Sequence, residues 1–333
     1  MPTKLEPCPL FIGGEWVSSS ASETEPVYNP SEGVQISATP LCGKDEVDKA
    51  VQAAADAFPE WANTPVVDRA RILFRYKHLL EEQFEELSQT LTREHGKTLE
   101  ESRGSVRRGI EVVEFACGAP SLMMGESLEN IAAGIDCDTV RTPLGVCAAI
   151  TPFNFPVMVP LWTLPVAIAC GNTFILKPSE KVPLSAIRLV ELLEEAGLPP
   201  GVCNLVHGGR EAVDTLLNHH QVQAISFVGS TPVAKYIYET ATRNGKRVQS
   251  SGGAKNFMVI LPDADLDSTI TAIMGSAYGC AGERCMAGSA LICAEGAGDR
   301  FIPPLSDAAR QIRVGPTDRD ADAQMGPLVT AQH

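Results

Sequence analysis

The sequence has no apolar run long enough to cross a bilayer. It also has no block of positive charge: 27 basic residues stand against 41 acidic ones, a formal net charge of −14. An acidic chain without a basic cluster argues against nucleic acid and against an anionic membrane surface as partners. The N-terminus, Met1-Pro-Thr-Lys-Leu-Glu-Pro-Cys8, has neither the apolar core of a secretory signal nor an Arg-rich amphipathic presequence, so a cytoplasmic location is expected. The ten cysteines form no C-x-x-C pair, and the six histidines do not cluster with them. No metal site is therefore expected, and in a cytosolic chain the thiols should be free. Internal repeats, low-complexity tracts and the G-x-G-x-x-G dinucleotide fingerprint are missing as well.

What is present is enough chain, 333 residues with 44% hydrophobic content, for two domains or one large one with a sizeable core. A short hairpin leader reads across residues 10–30, as Leu10 to Val17, a polar Ser-rich turn and Val27 to Pro30, with Gly13-Gly14 a further turn signal. Helical spacing follows from Lys44 to Phe58, from Asp68 to Gly96 and from Leu99 to Gly118, then an irregular connection from Ser121 to Gly134. Residues 135–142 alternate as a strand does. From Pro143 the texture becomes strand, helix, strand, helix: Gly145 to Ile150, Pro160 to Cys170, Asn172 to Lys177, Ala186 to Ala196, Val202 to Val206, Glu211 to Asn218, Ala224 to Val228 and Thr231 to Thr242. This order predicts an α/β fold with a doubly wound, mainly parallel sheet. A second α/β domain is expected after Gly252-Gly253, which divides the chain into 1–252, with a strand arm near 135–142, and 253–333.

The stretch Tyr278-Gly-Cys-Ala-Gly-Glu-Arg-Cys-Met-Ala-Gly-Ser289 places one thiol, Cys285, beside a cation, Arg284, among small residues. A neighbouring positive charge raises the thiolate fraction, and the thiolate is the nucleophile. The alternative is a buried cysteine acting as a small hydrophobe. Elsewhere, Phe227-Val-Gly-Ser-Thr231 stands at a strand-to-helix junction, which suits either an anion or an ordinary helix cap.

Four stretches taken together carry a resemblance. They are Thr151-Pro-Phe-Asn-Phe-Pro156, Leu176-Lys-Pro-Ser-Glu180, Phe227-Val-Gly-Ser-Thr231 and Gly282-Glu-Arg-Cys285. Their order and spacing resemble the aldehyde dehydrogenase superfamily. Gly252-Gly-Ala-Lys-Asn256 and Gly282-Glu-Arg-Cys-Met286 are most similar to its coenzyme-A-acylating methylmalonate-semialdehyde dehydrogenase branch. The resemblance implies that Cys285 attacks an aldehyde carbonyl. It implies that Asn154 and the Cys285 N–H receive the oxyanion. NAD would be held by Lys177 and Glu180 at the adenosine ribose and by Ser230 at the pyrophosphate. Thr151, Phe153 and Lys181 would line the cofactor groove, with Gly252 beside the nicotinamide. A carboxylate at the ribose, Glu180, favours NAD over NADP. Without the resemblance, Asn154 reads as a turn residue and Lys177–Glu180 as a solvated loop pair.

Two departures from the wider superfamily matter. Where hydrolytic members have a glutamate as general base, two residues before the Gly-Gly pair, this chain has Ser250. Serine cannot usefully deprotonate water near neutral pH, so a thioester on Cys285 would await a better nucleophile such as coenzyme A. A malonate-type semialdehyde also carries a carboxylate, for which Arg108 and Arg284 are the candidate pair. Its loss as carbon dioxide would leave acetyl- or propionyl-CoA. The second departure is length: the resemblance implies a longer C-terminal part, carrying a further cofactor loop and a subunit-pairing strand. The expectation is thus a C-terminally incomplete catalytic domain whose full-length relatives form homo-oligomers. Two other readings stay open: a hydrolytic NAD-dependent aldehyde dehydrogenase, or an inactive fragment serving as a cofactor-binding or interaction module.

Overall fold

The structure, a computed structural model, describes residues 5–333; residues 1–4 of the N-terminal stretch Met1 to Cys8 lie outside the described residues. The described chain opens with β1 (Leu10–Ile12) and β2 (Glu15–Val17), which turn at Gly13 and Gly14, both in the left-handed region. A second antiparallel ribbon follows, β3 (Thr24–Asn29) with β4 (Val34–Pro40). In α1 (Lys44–Asn63) the residues Val47, Ala50, Val51 and Ala54 form a fully buried stripe at helical spacing. This helix continues past Phe58 with Pro59 inside it.

The single helix expected from Asp68 to Gly96 is two helices, α2 (Val66–Glu82) and α3 (Phe84–His95). They are separated by a break at Gln83 (φ −96, ψ 14) that no glycine or proline marks. Gly96, at φ 90, closes α3 as expected. Helix α4 (Leu99–Cys117) starts with a reciprocal capping box between Thr98 and Glu101. After the short α5 (Ala119–Leu122) comes an exposed antiparallel hairpin, β5 (Ser127–Ala132) with β6 (Ile135–Asp138). The alternation from Ile135 therefore marks only the second strand of the arm. Its partner lies in the stretch that reads as irregular, and the strand ends at Asp138 rather than running to 142.

The alternating section gives β7 (Val146–Ile150), α6 (Met158–Ala169), β8 (Thr173–Lys177), α7 (Leu184–Glu195), β9 (Cys203–Leu205), α8 (Arg210–Asn218), β10 (Val222–Val228), α9 (Thr231–Arg243) and β11 (Arg247–Ser251). One seven-stranded sheet runs β11-β10-β7-β8-β9-β1-β2. It is parallel from β11 to β9 and antiparallel where the N-terminal hairpin is added. Every residue of β7 and β8 is buried, which explains their unbroken apolar runs.

Alternate residues of these strands feed two cores. Cys147, Ala149, Phe174 and Leu176 join residues of α2, α4, α6 and α7 on one face. Val146, Ala148, Ile150 and Ile175 join residues of α1, α8 and α9 on the other. The sheet is therefore doubly wound. Strand order reverses between β7 and β10, and ligands in such sheets bind beyond the carboxyl ends of the strands at that crevice.

Beyond the large sheet, β12 (Asn256–Ile260), α10 (Leu266–Tyr278), β13 (Gly288–Cys293) and α11 (Ala297–Arg310) build a small layer of their own. β12 and β13 pair in parallel, and Ile260, Ile273, Ala297 and Phe301 make a separate small core. Phe257, Val259 and Ile292 leave part of this sheet exposed. Among the described residues no helix is long and apolar enough to cross a membrane.

Candidate active site

The strands of the large sheet deliver their following residues to one crevice. β7 ends at Ile150 and is followed by Thr151, Phe153 and Asn154. β8 ends at Lys177 and leads to Glu180 and Lys181. β10 ends at Val228 before Gly229 and Ser230, and β11 ends at Ser251 before Gly252. The eight residues from Thr151 to Gly252 that the sequence singled out, together with Cys285, line a single cavity of about 1000 Å³. Glu283, Arg284 and His333 line it too.

The thiol arrives on a strained loop between α10 and β13. Cys280 and Ala281 have left-handed backbones (φ 50 and 52), and Gly282 follows at φ 78. For residues with a Cβ this region costs roughly 1–2 kcal/mol each. The loop is pinned from several sides. The Asn154 amide, Nδ2, donates to the Glu283 carbonyl at 2.6 Å. Asn256 Nδ2 donates to the carbonyls of Cys285 (2.9 Å) and Ala287 (3.1 Å). The Cys280 N–H donates to Glu101 Oε1 at 2.6 Å. An asparagine amide has two N–H donors, so Asn154 keeps one beyond the bond to Glu283. Cys285 itself is half-buried.

Arg284 does not act as its place in the sequence suggests. Its Nε donates to the Cys280 sulfur at 3.3 Å, one terminal nitrogen to the Gly275 carbonyl at 3.2 Å, and the other to Glu101 at 3.3 Å. The guanidinium therefore turns to Cys280 and Glu101. Three of its five N–H groups are used in these bonds. It also borders a second cavity of about 610 Å³ between α4, α10 and α11. Arg108 is exposed on α4 and lines neither of these cavities, so the structure does not bring the two arginines together.

At the other end of the groove, Lys177 is buried and its ammonium lies 3.4 Å from Glu180 Oε2. Burial pulls the lysine below its usual range, and Glu180 opposes the shift. A donor and a carboxylate side by side suit a vicinal diol. Lys181 Nζ sits 5.5 Å from the centre of the Phe153 ring. Thr151 Oγ1 is buried without a partner on the wall of the cavity, an open hydrogen-bonding position for a ligand. Ser230 caps α9 by its backbone and makes no side-chain cap bond, so its hydroxyl is also uncommitted. At Gly229 an added Cβ would stand 2.4 Å from the Phe227 ring, and at Gly252 3.1 Å from the Thr231 backbone. Gly229 thus leaves room for the Phe227 ring, and Gly252 lets the backbone run close to the start of α9. These groups fit a dinucleotide laid across the strand ends.

Sequence reasoning missed a buried charged group behind Asn154. Lys97, 2% exposed, donates to the Asn154 carbonyl at 2.7 Å and lies 4.2 Å from the centre of the Phe155 ring. Glu283 has a side chain only 9% exposed, with its carboxylate 3.7 Å from His95 Nε2. Burial pushes this carboxyl up to about 7, against the pull of Lys97, the Val329 backbone N–H and Lys181. Burial holds His95 well below its ordinary value, so it stays neutral. The pattern Thr98-x-x-Glu101 was a visible capping signal, but nothing in it pointed to the thiol loop. Asn256 was visible only as part of the Gly-Gly-Ala-Lys-Asn motif. Ser250, in place of a general base, donates its hydroxyl to the Ala234 carbonyl at 2.8 Å and is held against α9.

A mainly parallel sheet whose strand ends open on one cavity, lined also by a thiol loop and an asparagine, defines a class of α/β protein with a cysteine at a strand-end groove. The aldehyde dehydrogenase family profile matches residues 16–333, and the chain belongs to that family. It is similar to the malonate-semialdehyde dehydrogenase of Bacillus pumilus (strain SAFR-032), with 51% identity over 323 residues, 97% of this chain and 66% of the relative. Malonate-semialdehyde dehydrogenase 3 of Geobacillus kaustophilus (strain HTA426) is 52% identical over 323 residues, with coverage of 97% and 66%. Among solved structures, the methylmalonate-semialdehyde dehydrogenase of Oceanimonas doudoroffii superimposes with a TM-score of 0.96 at 46% identity, covering 99% of this chain and 67% of its own. A structure from Sinorhizobium meliloti 1021, complexed with NAD, matches with a TM-score of 0.96 at 45% identity and the same coverage. The chain thus spans about two thirds of the length of these relatives (66% for the first).

Proposed function

We propose that this chain supplies the cofactor-binding and thiol-bearing part of an NAD-dependent, CoA-acylating dehydrogenase of malonate or methylmalonate semialdehyde. The observation that carries this reading is the sharing of one cavity by Cys285, Asn154, Lys177 and Glu180, while Ser250 is turned into a bond with α9. Relatives named malonate-semialdehyde dehydrogenase at about half identity support the substrate class.

In this reading the Cys285 sulfur attacks the aldehyde carbon. A C–S bond forms and the carbonyl electron pair moves onto oxygen. The free N–H of Asn154 and the Cys285 backbone N–H receive that oxyanion; each such donor contributes about 2.7–4 kcal/mol. NAD, when bound, supplies the acceptor for the hydride that leaves as the carbonyl re-forms. Lys177 and Glu180 would hold its ribose diol, Ser230 and the start of α9 its pyrophosphate. Thr151, Phe153 and Lys181 would line its path, and the close backbone at Gly252 would face the nicotinamide. The acyl group then rests on Cys285 as a thioester. With Ser250 bound to the Ala234 carbonyl, no base stands at that position to activate water. The thiolate of coenzyme A forms the new C–S bond and the bond to Cys285 breaks. Arg284, with two N–H groups uncommitted, is the candidate to hold the substrate carboxylate.

A cofactor unit of residues 1–252 and a catalytic unit of 253–333, a cytoplasmic location, and association of copies through the β5–β6 hairpin belong to the same proposal. The test is NADH formation from malonate semialdehyde and NAD, with and without coenzyme A. Turnover that requires coenzyme A supports the acylating reading. Equal turnover without it assigns the hydrolytic one.

A further inference from the structure

The turn between α3 and α4 touches both halves of the reaction centre. Lys97 holds the Asn154 carbonyl. Four residues later, Glu101 holds the thiol loop: its Oε1 accepts the Cys280 N–H at 2.6 Å and an Arg284 N–H at 3.3 Å. The other carboxylate oxygen accepts the Thr98 N–H at 3.0 Å, while the Thr98 hydroxyl accepts the Glu101 N–H at 3.2 Å. The carboxylate is thus fixed by a capping box at the head of a nineteen-residue helix. Cys280, the residue whose N–H it takes, is the first of the three left-handed positions. Backbone in that region persists only where its surroundings hold it. Among the described residues, Glu101 is the only side chain with a hydrogen bond from the Cys280 backbone N–H.

We propose that Glu101 is a positioning residue for Cys285. It touches neither the sulfur nor the substrate. It clamps the left-handed start of the loop to α4, so that the thiol is carried to the Asn154 amide. The inference rests on Cys285 being the nucleophile.

The test compares Glu101→Ala with Thr98→Ala in the full chain. Both break the capping box and should lower Tm, the first further because it alone releases the Cys280 N–H and Arg284. Glu101→Ala should reduce kcat about tenfold or more with little change in the KM for NAD, since misplacement of a reacting group is costly. Thr98→Ala should leave kcat within about twofold. Glu101→Gln, which keeps one acceptor oxygen, should restore part of the loss. In hydrogen exchange, the peptide spanning residues 279–285 should exchange faster in Glu101→Ala and not in Thr98→Ala. Equal kcat losses in the two alanine variants, or unchanged exchange over 279–285, would overturn the assignment. If the unaltered chain forms no NADH, the functional reading has failed, and exchange alone decides whether Glu101 anchors the loop.

Discussion

Glu283 offers a stability effect whose sign and size follow from its surroundings. Its carboxyl is buried against neutral His95, with Lys97 and Lys181 the nearby cations, and its titration moves from 4.5 in an exposed chain to about 7. Between those values the native protein holds a proton that the unfolded chain has released. Stability from this group is therefore fully present below about 4.5 and is lost as pH rises through about 7. A shift of that size corresponds to something on the order of 3 kcal/mol. Glu283→Gln keeps the shape and removes the titration, so the variant should match the parent near pH 4.5 and exceed it by that amount above pH 8. Urea denaturation across this range measures it. The quantity to read is the difference between variant and parent. Glu94, also pushed up to about 7 by burial, tilts the parent curve the same way, whereas His95 and His207, held neutral by burial, tilt it the other way. A difference that stays flat with pH would refute the reasoning.

Three further outcomes follow from the site. Asn154→Ala should lower kcat by about 10²–10³-fold while NAD affinity, read by fluorescence titration, stays close to the parent's. Gly229→Ala places a Cβ 2.4 Å from a buried Phe227 ring, so NAD should bind more weakly and Tm should fall, at a cost of about 1–3 kcal/mol. Lys97→Met removes a buried charge but leaves the Asn154 carbonyl without its donor, so two effects of about 1–3 kcal/mol oppose each other in stability. Denaturation should therefore change little while kcat drops clearly.

The large sheet was legible because β7 and β8 are buried on both faces and so read as unbroken apolar runs between helical segments. The groove residues stood out in the sequence only through the family resemblance, since Asn154 alone reads as a turn residue and Lys177–Glu180 as a solvated loop pair. The structure gathers them into one cavity because they follow strand ends of one sheet. The break at Gln83 was not legible, since no residue type there forces it. The arm was half legible: Ile135 to Asp138 alternates, but its partner Ser127–Ala132 does not. Arg284 shows where adjacency in sequence misleads. Two left-handed residues and a glycine reverse the loop, and its guanidinium meets Cys280 and Glu101. Lys97, Glu101 and Glu283 owe their places to contacts across 57, 179 and 188 residues respectively, measured to Asn154, Cys280 and His95. No local pattern encodes such pairings. Arg108 stands exposed on α4, away from the cavity that Arg284 and Cys285 line.

The central claim is that Cys285 carries the acyl group. The direct measurement is to mix the chain with NAD and malonate semialdehyde without coenzyme A, quench in acid, digest, and weigh the peptide containing Cys285. The account predicts an acyl adduct on that cysteine, discharged when coenzyme A is added before the quench. NADH formed with Cys285 unmodified, or an adduct on Cys280 in its place, would contradict it.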